Sequence, residues 1–136
     1  MRQVRKLNIG ITNYRKGSFL ENVALRWLKT RGLKVVAKNY ISRAGEIDII
    51  MLDGDTLCFI EVKYRGSQDL DGTDYGIPVS KQQKIIRTAL SFVNHQYKYL
   101  KYPRRFDTLL VEPGIDEPYE MNWVKHVFSD DTYQGE

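Results

Sequence analysis

Several features that define other protein classes are missing from this sequence. Its one cysteine, Cys58, excludes an internal disulfide and fits a reducing compartment. Its two histidines are isolated and lack the spacing of metal ligands. No apolar run approaches the ~18 residues of a membrane span, and the basic N-terminus has no continuous apolar core of a secretory signal. We therefore expect a cytoplasmic protein without a membrane-spanning segment, in which Cys58 is a small buried side chain.

The composition is that of an ordinary globular protein. The 136 residues are 42% hydrophobic and 28% charged, and this length suffices for a substantial core. The net charge is +4, and basic residues concentrate before and after the first acidic residue, Glu21. A basic excess favours a polyanionic partner, although a solvated surface is the simpler explanation of any one charge run. We expect a basic arm at residues 1–16, a single domain at 17–128 and a disordered acidic tail at 129–136.

The chain is organised around a predicted hairpin between Gly45 and Arg65. Two apolar runs are joined by residues 53–56, and Gly54 followed by Asp55 suits the central pair of a type II′ turn. A four-residue loop over the same stretch gives the same register. Both faces carry apolar residues, so we expect the hairpin to be covered on both sides. The predicted facing pairs are Ile47–Val62, Ile49–Ile60 and Met51–Cys58 on one face, and Leu52–Leu57, Ile50–Phe59, Asp48–Glu61 and Glu46–Lys63 on the other.

The pairing of Asp48 with Glu61 is the most informative feature of this hairpin. Like charges that face each other destabilise a sheet, and burial makes the repulsion worse. A divalent cation between the two carboxylates would turn repulsion into attraction, because hard metals bind carboxylate oxygens. Two structural alternatives remain: Lys63 neutralises the cluster as an ion pair, or the two carboxylates lie at a wet end of the sheet.

The same residues carry a resemblance to known families. Asp48 with Glu61-Val62-Lys63 resembles the PD-(D/E)XK nuclease signature, with GEID in place of the usual PD. The blocks GEIDII, FIEVKYR and RFD resemble the YraN-like family of predicted bacterial endonucleases, over the range from Gly17 to Val111. This resemblance implies an α/β fold with the restriction-endonuclease-like αβββαβ core, a mixed central sheet flanked by helices. It also implies Mg²⁺- or Mn²⁺-dependent hydrolysis of nucleic acid, with DNA the favoured substrate.

The resemblance implies a role for each residue of the motif. Asp48 and Glu61 are expected to bind the metal directly, with the Val62 backbone carbonyl as a third ligand. Lys63 is expected to orient the attacking water and stabilise developing charge; a role as general base is less favoured, because neighbouring carboxylates raise a lysine pKa. Glu46 and Asp107 are expected around these ligands, although Asp107 is equally suited to supporting the sheet.

Glu21 has two candidate roles. Ser18 and Glu21 have the spacing of a capping box, which predicts a helix that starts at Ser18 and ends near Gly32. Related nucleases carry a first-helix glutamate that reaches the metal site, and the resemblance places Glu21 there. Leu20 stands where the family usually has glycine. Capping and metal binding compete for the same carboxylate, and the sequence leaves both open.

The remaining elements are predicted from periodicity and turn residues. Ser80 and Gln83 form a second capping box, and the lysines that follow Ser80 could hold phosphate at a helix N-terminus or be simply solvated. The predicted elements are a strand at Leu33–Ala37, a turn at 39–44, a flexible loop at 66–78, a helix from Ser80 to Leu100, and strands at Arg104–Val111 and Trp123–Phe128. The candidate nucleic-acid-binding residues are Arg43, Arg65, Lys81, Lys84 and Arg105.

Three functions follow from these features. The first is a DNA endonuclease of DNA processing or repair, and a homodimer is expected if it cuts both strands. The second is a nuclease-fold accessory protein that binds nucleic acid without catalysis and shows salt-dependent DNA binding. The third is a protein-interaction module that uses the predicted edge strand near Trp123.

Overall fold

The computed structural model of the chain describes residues 9–64 and 77–135. Residues 1–8 of the predicted arm, Arg65 and most of the predicted loop, 66–76, lie outside the described residues. The elements are α1 (Ile9–Thr30), β1 (Lys34–Ser42), β2 (Gly45–Asp53), β3 (Thr56–Tyr64), α2 (Val79–His95), β4 (Arg104–Pro113) and β5 (Tyr119–Phe128), with short 3₁₀ helices at Tyr97–Tyr99 and Asp130–Thr132.

The five strands form one mixed sheet in the order β1-β2-β3-β4-β5. Strands β3 and β4 are parallel, and the other neighbouring pairs are antiparallel. The parallel pair is joined by a crossover that contains α2, as a parallel connection requires. The predicted α/β class and mixed sheet are thereby confirmed. Within the described ranges, neither helix is both long and apolar enough to cross a membrane.

The sheet is covered on both faces, as the hairpin sequence predicted. On one side α1 contributes Leu20, Ala24 and Leu28 to a cluster with Ile49, Met51, Cys58 and Ile60. On the other side α2 contributes Ile85, Ile86, Ala89, Phe92 and Val93 to a cluster with Ile50, Leu57 and Phe59. Two apolar helix faces thus bury a strand pair that has no polar face.

The turn of the hairpin has the predicted register. Asp53 pairs with Thr56, and Ile49 pairs with Ile60. Gly54 has φ +62°, whereas positive φ at described non-glycine residues occurs only at Asn39 and His126. A positive φ at the first central residue alone is the signature of a type II′ turn. The two-residue turn is therefore confirmed.

Both predicted capping boxes are wrong. Helix α1 begins at Ile9, so Ser18 lies within the helix and cannot cap it. The predicted basic arm therefore overlaps α1 from residue 9 onward. Helix α2 begins after Pro78, which makes no side-chain cap, and Gln82 Nε2 donates instead to the Ile77 carbonyl at 2.7 Å. Each Ser-x-x-Glu/Gln motif has the residues of a capping box, but neither serine lies just before its helix.

Three other boundaries differ from the prediction. Strand β1 runs to Ser42, because pairing with β2 extends it through the predicted turn. Helix α2 ends at His95 and is followed by the 3₁₀ helix rather than continuing to Leu100. The tail predicted to be disordered contains the second 3₁₀ helix, and the Gln134 N–H donates to Gln83 Oε1 at 2.9 Å.

Candidate functional site

The candidate site lies where β2 and β3 separate. Backbone pairing of the two strands runs from the turn to Ile49–Ile60, and the next predicted pair, Asp48–Glu61, is not part of the ladder. The Asp48 carboxylate fills the gap, since its Oδ2 accepts a hydrogen bond from the Val62 N–H at 2.8 Å. A side chain thus replaces the backbone partner that the diverging strand no longer supplies.

The backbone on the other side of Asp48 is also irregular. The facing position in β1 is Asn39, whose φ is +50°, and the Cα partners of β1 and β2 skip this pair. Beyond the irregularity Ile47 packs on the α2 side, whereas Ile49 packs on the α1 side. The predicted placement of Ile47 on the face of Ile49 is therefore wrong. Irregular backbone of this kind is concentrated at functional sites.

Three carboxylates converge on this gap. Glu61 lies on β3 with its side chain 13% exposed, and its charge acts on Asp48. Glu21 reaches Asp48 from α1 and forms a hydrogen bond with it. Two carboxyl groups can share a hydrogen bond only if one of them holds a proton. Asp48 thus lies between acidic groups from β3 and α1.

This crowding changes the protonation of the cluster. Burial, followed by the charge of Glu61, raises the pKa of Asp48 to about 8, against the hydrogen bond from Val62. Burial also raises the pKa of Glu21, although its hydrogen bond with Asp48 opposes the rise. At neutral pH the Asp48 carboxyl group is therefore mainly protonated and donates to Glu21. Removal of this proton would add a negative charge beside Glu61 and Glu21.

Lys81 supplies one positive charge to the cluster. Its Nζ donates to Glu61 Oε2 at 2.5 Å, from the first turn of α2. Burial disfavours the charged ammonium group, but the hydrogen bond and the charge of Glu61 outweigh burial and raise the Lys81 pKa. One structural alternative was that Lys63 neutralises the cluster. A lysine does neutralise Glu61, but it is Lys81 on α2.

The site opens to the surface as a pocket of about 340 Å³. Glu46, Asp48 and Glu61 line its acidic side, and Lys81 and Lys84 line its basic side. An acidic side suits a cation, and lysines at a helix N-terminus suit a phosphate. The pocket therefore combines the two kinds of group that a phosphate ester with a bound cation requires.

The donor set fits Mg²⁺ or Mn²⁺. Carboxylates of Asp48, Glu61 and Glu21, with the Val62 carbonyl beside them, are hard oxygen ligands. Within residues 9–64 and 77–135, no three acidic, histidine or cysteine side chains are already arranged as a metal-ligand group. A cation bound among these side chains would nevertheless turn the repulsion around Asp48 into attraction. These residues fit a Mg²⁺ or Mn²⁺ ion, provided that the carboxylates rearrange around the ion.

The other motif residues have these positions. Lys63 follows Glu61 and Val62 on β3, is half-buried, and already interacts with another part of the chain. Glu46 is exposed, and its predicted pairing with Lys63 lies beyond the end of the ladder. Arg43 is exposed on the β1–β2 turn.

Arg105 and Asp107 form a separate structural unit. Asp107 is 1% exposed and accepts hydrogen bonds from the Arg105 guanidinium, the Trp123 indole N–H and the His126 backbone N–H. Arg105 also donates to Asp53 at 3.0 Å. These contacts join β4, β5 and the hairpin turn. They favour the sheet-supporting alternative for Asp107, and they engage Arg105 away from the nucleic-acid-binding role predicted for it.

Asp107→Asn should lower the free energy of unfolding by about 2 kcal/mol, because the half-buried Arg105 loses a charged partner and the buried hydrogen bonds of Asp107 are weakened. Chemical denaturation measures the change. Asp53→Asn removes a more exposed partner of the same Arg105, 32% exposed, and should cost less than about 1 kcal/mol. Equal losses in the two variants would refute the structural role of Asp107.

The sequence did not predict two features of the site, the contribution of Asn39 and the ion pair between Lys81 and Glu61. Asn39 hydrogen-bonds with Glu21 and faces Asp48 in the register, but it lies in a segment predicted to be a turn. Lys81 was predicted only as a phosphate-binding residue, and its ion pair with Glu61 depends on where α2 begins. Asparagine tolerates positive φ better than most residues, which is the one local signal that pointed to Asn39.

The fold and site define an α/β protein with a buried acidic gap between two hairpin strands. The chain belongs to the uncharacterised protein family UPF0102, whose model matches residues 20–111. A UPF0102 protein from Pseudomonas syringae pv. syringae (strain B728a) is 35% identical over 119 residues, covering 86% of this chain and 95% of that protein. Another, from Colwellia psychrerythraea (strain 34H / ATCC BAA-681), is 41% identical over 115 residues, covering 83% and 88%. These names state no activity.

Proposed function

We propose that this protein is a Mg²⁺- or Mn²⁺-dependent endonuclease that hydrolyses phosphodiester bonds, with DNA as substrate, in cytoplasmic DNA processing or repair. The observation that carries the proposal is the Asp48 carboxylate in the gap between β2 and β3, hydrogen-bonded to the Val62 N–H and surrounded by Glu61 and Glu21. The order of elements, with α1 before a three-strand meander and a crossover to β4, supports the restriction-endonuclease-like core and the YraN-like PD-(D/E)XK assignment.

Asp48, Glu61 and the Val62 carbonyl would hold the cation, with Glu21 approaching from α1. When bound, such an ion activates water and stabilises charge on the phosphate and on the leaving oxygen. Lys63, two residues beyond Glu61, orients the attacking water and stabilises charge. Lys81 and Lys84 bind the phosphate at the N-terminus of α2.

A cleavage screen with Mn²⁺ tests this proposal. Supercoiled plasmid, linear duplex, single-stranded, flap and junction DNA, and RNA, are incubated with the wild type and with Lys63→Ala. The wild type should cut at least one of these DNAs, and Lys63→Ala should be about a hundredfold slower, since a positioned group contributes at least that much. If every substrate in the screen stays intact, the proposed nuclease activity is refuted for those substrates. Sedimentation of the active protein tests the accompanying expectation of a homodimer.

The second candidate is a nuclease-fold accessory protein that binds nucleic acid without catalysis. The ion pair between Lys81 and Glu61 favours it, because this contact neutralises one carboxylate without a metal. It predicts salt-dependent DNA binding that is unaffected by Mn²⁺. It differs from the first proposal in predicting neither cleavage nor cation binding at Asp48.

A further inference from the structure

A second concavity lies beside the candidate site. It is a groove of about 720 Å³ between the end of β1, the β1–β2 turn and the C-terminal half of α2, here called the α2 groove. Arg43 and Arg87 are exposed side chains on its two sides. Its other polar lining residues are Tyr40, Ser42, Ser91 and His95.

Both walls of the α2 groove come from segments without acidic residues. Helix α2 contains no aspartate or glutamate and carries Lys81, Lys84 and Arg87. Strand β1 likewise contains no acidic residue. A concave surface with charge of one sign concentrates ions of the opposite sign. The α2 groove is therefore suited to a polyanion.

The groove and the candidate site are neighbours along α2. Gly45 lines the site, and Arg43 and Ala44, just before it, line the groove. At Gly45 the turn presses against α2, since a Cβ there would lie 3.3 Å from Thr88 Oγ1. A ligand that leaves the site along the helix must pass over this contact to reach the groove.

The spacing of the residues along α2 matches an extended ligand. Positions 81, 84, 87, 91 and 95 are three or four residues apart and share one side of the helix. From 81 to 95 this side measures about 21 Å, which is on the order of six nucleotide steps along one strand of a duplex. An isolated phosphate or a mononucleotide would occupy only a fraction of that length.

The walls are held in place by polar and aromatic contacts. Tyr40 packs edge-on against Phe92, with ring centroids 5.1 Å apart, and its hydroxyl lies 3.4 Å from Ser91 Oγ. His95 Nδ1 lies 2.7 Å from the Ser91 carbonyl oxygen, so the ring is tied to the helix. A groove with fixed walls loses little side-chain freedom when a ligand enters.

We propose that the α2 groove binds the sugar-phosphate backbone of one nucleic-acid strand on one side of the phosphate held in the site. This proposal rests on the proposed function, because it gives the path of that substrate away from the site. Arg43 and Arg87 contact phosphates from opposite walls, and the lysines at positions 81 and 84 guide the strand into the site. The recognition is of backbone charge and is independent of sequence.

The test measures binding of a fluorescent 20-nucleotide single-stranded DNA in EDTA, so that cleavage does not contribute. The double variant Arg43→Ala/Arg87→Ala should bind at least tenfold more weakly than the wild type. Loss of two phosphate contacts should reduce the slope of log K against log salt by about 1.4. The control Arg26→Ala/Lys29→Ala removes two exposed charges from α1 and should change affinity less than twofold. Thermal melting should show that both double variants are folded.

Three results would overturn the proposal: no binding by the wild type, equal binding by the wild type and the groove variant, or equal loss in the groove variant and the control. Competition by inorganic phosphate or a mononucleotide as strong as competition by unlabelled 20-mer would also overturn it, since the groove would then be a simple phosphate site. A wild type that binds through the groove but never cleaves would refute the proposed hydrolysis and leave the groove assignment intact.

Discussion

Asp48→Asn should reduce metal-dependent cleavage about a thousandfold or more while leaving the fold intact. A bound cation contributes several kcal/mol to phosphodiester hydrolysis, and about 4 kcal/mol corresponds to a thousandfold change in rate. The neutral amide is a poor ligand for Mg²⁺, yet its oxygen still accepts the hydrogen bond from the Val62 N–H that Asp48 accepts at 2.8 Å. Its NH₂ group can also donate to Glu21, as the protonated Asp48 carboxyl does.

The measurement compares initial rates of the wild type and Asp48→Asn on whichever DNA the wild type cuts, over a range of Mn²⁺ concentrations. Asp116→Asn is the matched control, because it makes the same chemical change at an exposed position and should retain full rate. An Asp48→Asn protein that cleaves within about tenfold of wild type would show that this carboxylate does not hold the cation.

In the absence of divalent metal, the free energy of unfolding of the wild type should fall as the pH rises from about 4 to about 8. The sign follows from the proton balance. The Asp48 pKa is about 8 in the folded chain and ordinarily 3.8, so between these values the folded state holds a proton that the unfolded state has released. Stability then decreases with pH by up to about 1.4 kcal/mol for each pH unit. The raised Glu21 pKa acts in the same direction.

Chemical denaturation in EDTA at a series of pH values measures this slope. In Asp48→Asn the slope should largely disappear, and the variant should be more stable than the wild type at pH 8. Asp116→Asn should keep the wild-type slope. Mn²⁺ should stabilise the wild type at pH 8 and flatten its slope, since metal binds the deprotonated carboxylate. A wild type whose stability is flat or rising between pH 4 and 8 would contradict the buried acidic cluster.

These two predictions concern the same site. The carboxyl group that is proposed to bind the cation lowers the stability of the metal-free protein at pH 8. Asp48→Asn should inactivate the protein and stabilise it at the same time. An Asp48 with a purely structural role predicts the opposite sign, because loss of a structural carboxylate lowers stability. The combined outcome therefore separates a ligand site from an ordinary buried polar residue.

The hairpin was predictable because turn chemistry and binary pattern agree there. Gly54-Asp55 fixes the register, and the apolar residues on both sides of each strand predict burial on both faces. The same reasoning placed Asp48 close to Glu61, which the structure confirms. It could not foresee that the ladder ends at Ile49–Ile60, because the exchange of a backbone partner for the Asp48 carboxylate is a tertiary event.

The helix starts and the assignment of arginines were less predictable. Ser18 and Ser80 each have a capping sequence, but helix length is decided by packing beyond the cap. Arg105 is predicted from the sequence to be a nucleic-acid contact. Its actual partners are Asp107, two residues further along the same strand, and Asp53 at the hairpin turn. The contact with Asp53 depends on strand order, which the sequence does not specify.

The most direct test of the central claim is calorimetric titration of the metal-free wild type and of Asp48→Asn with Mn²⁺ at pH 7.5. The wild type should bind the ion with release of a proton, seen as a dependence of the heat on the ionisation enthalpy of the buffer, and Asp48→Asn should not bind it. Equal binding by both proteins, or no binding by the wild type, would contradict the assignment of a cation site to the gap between β2 and β3.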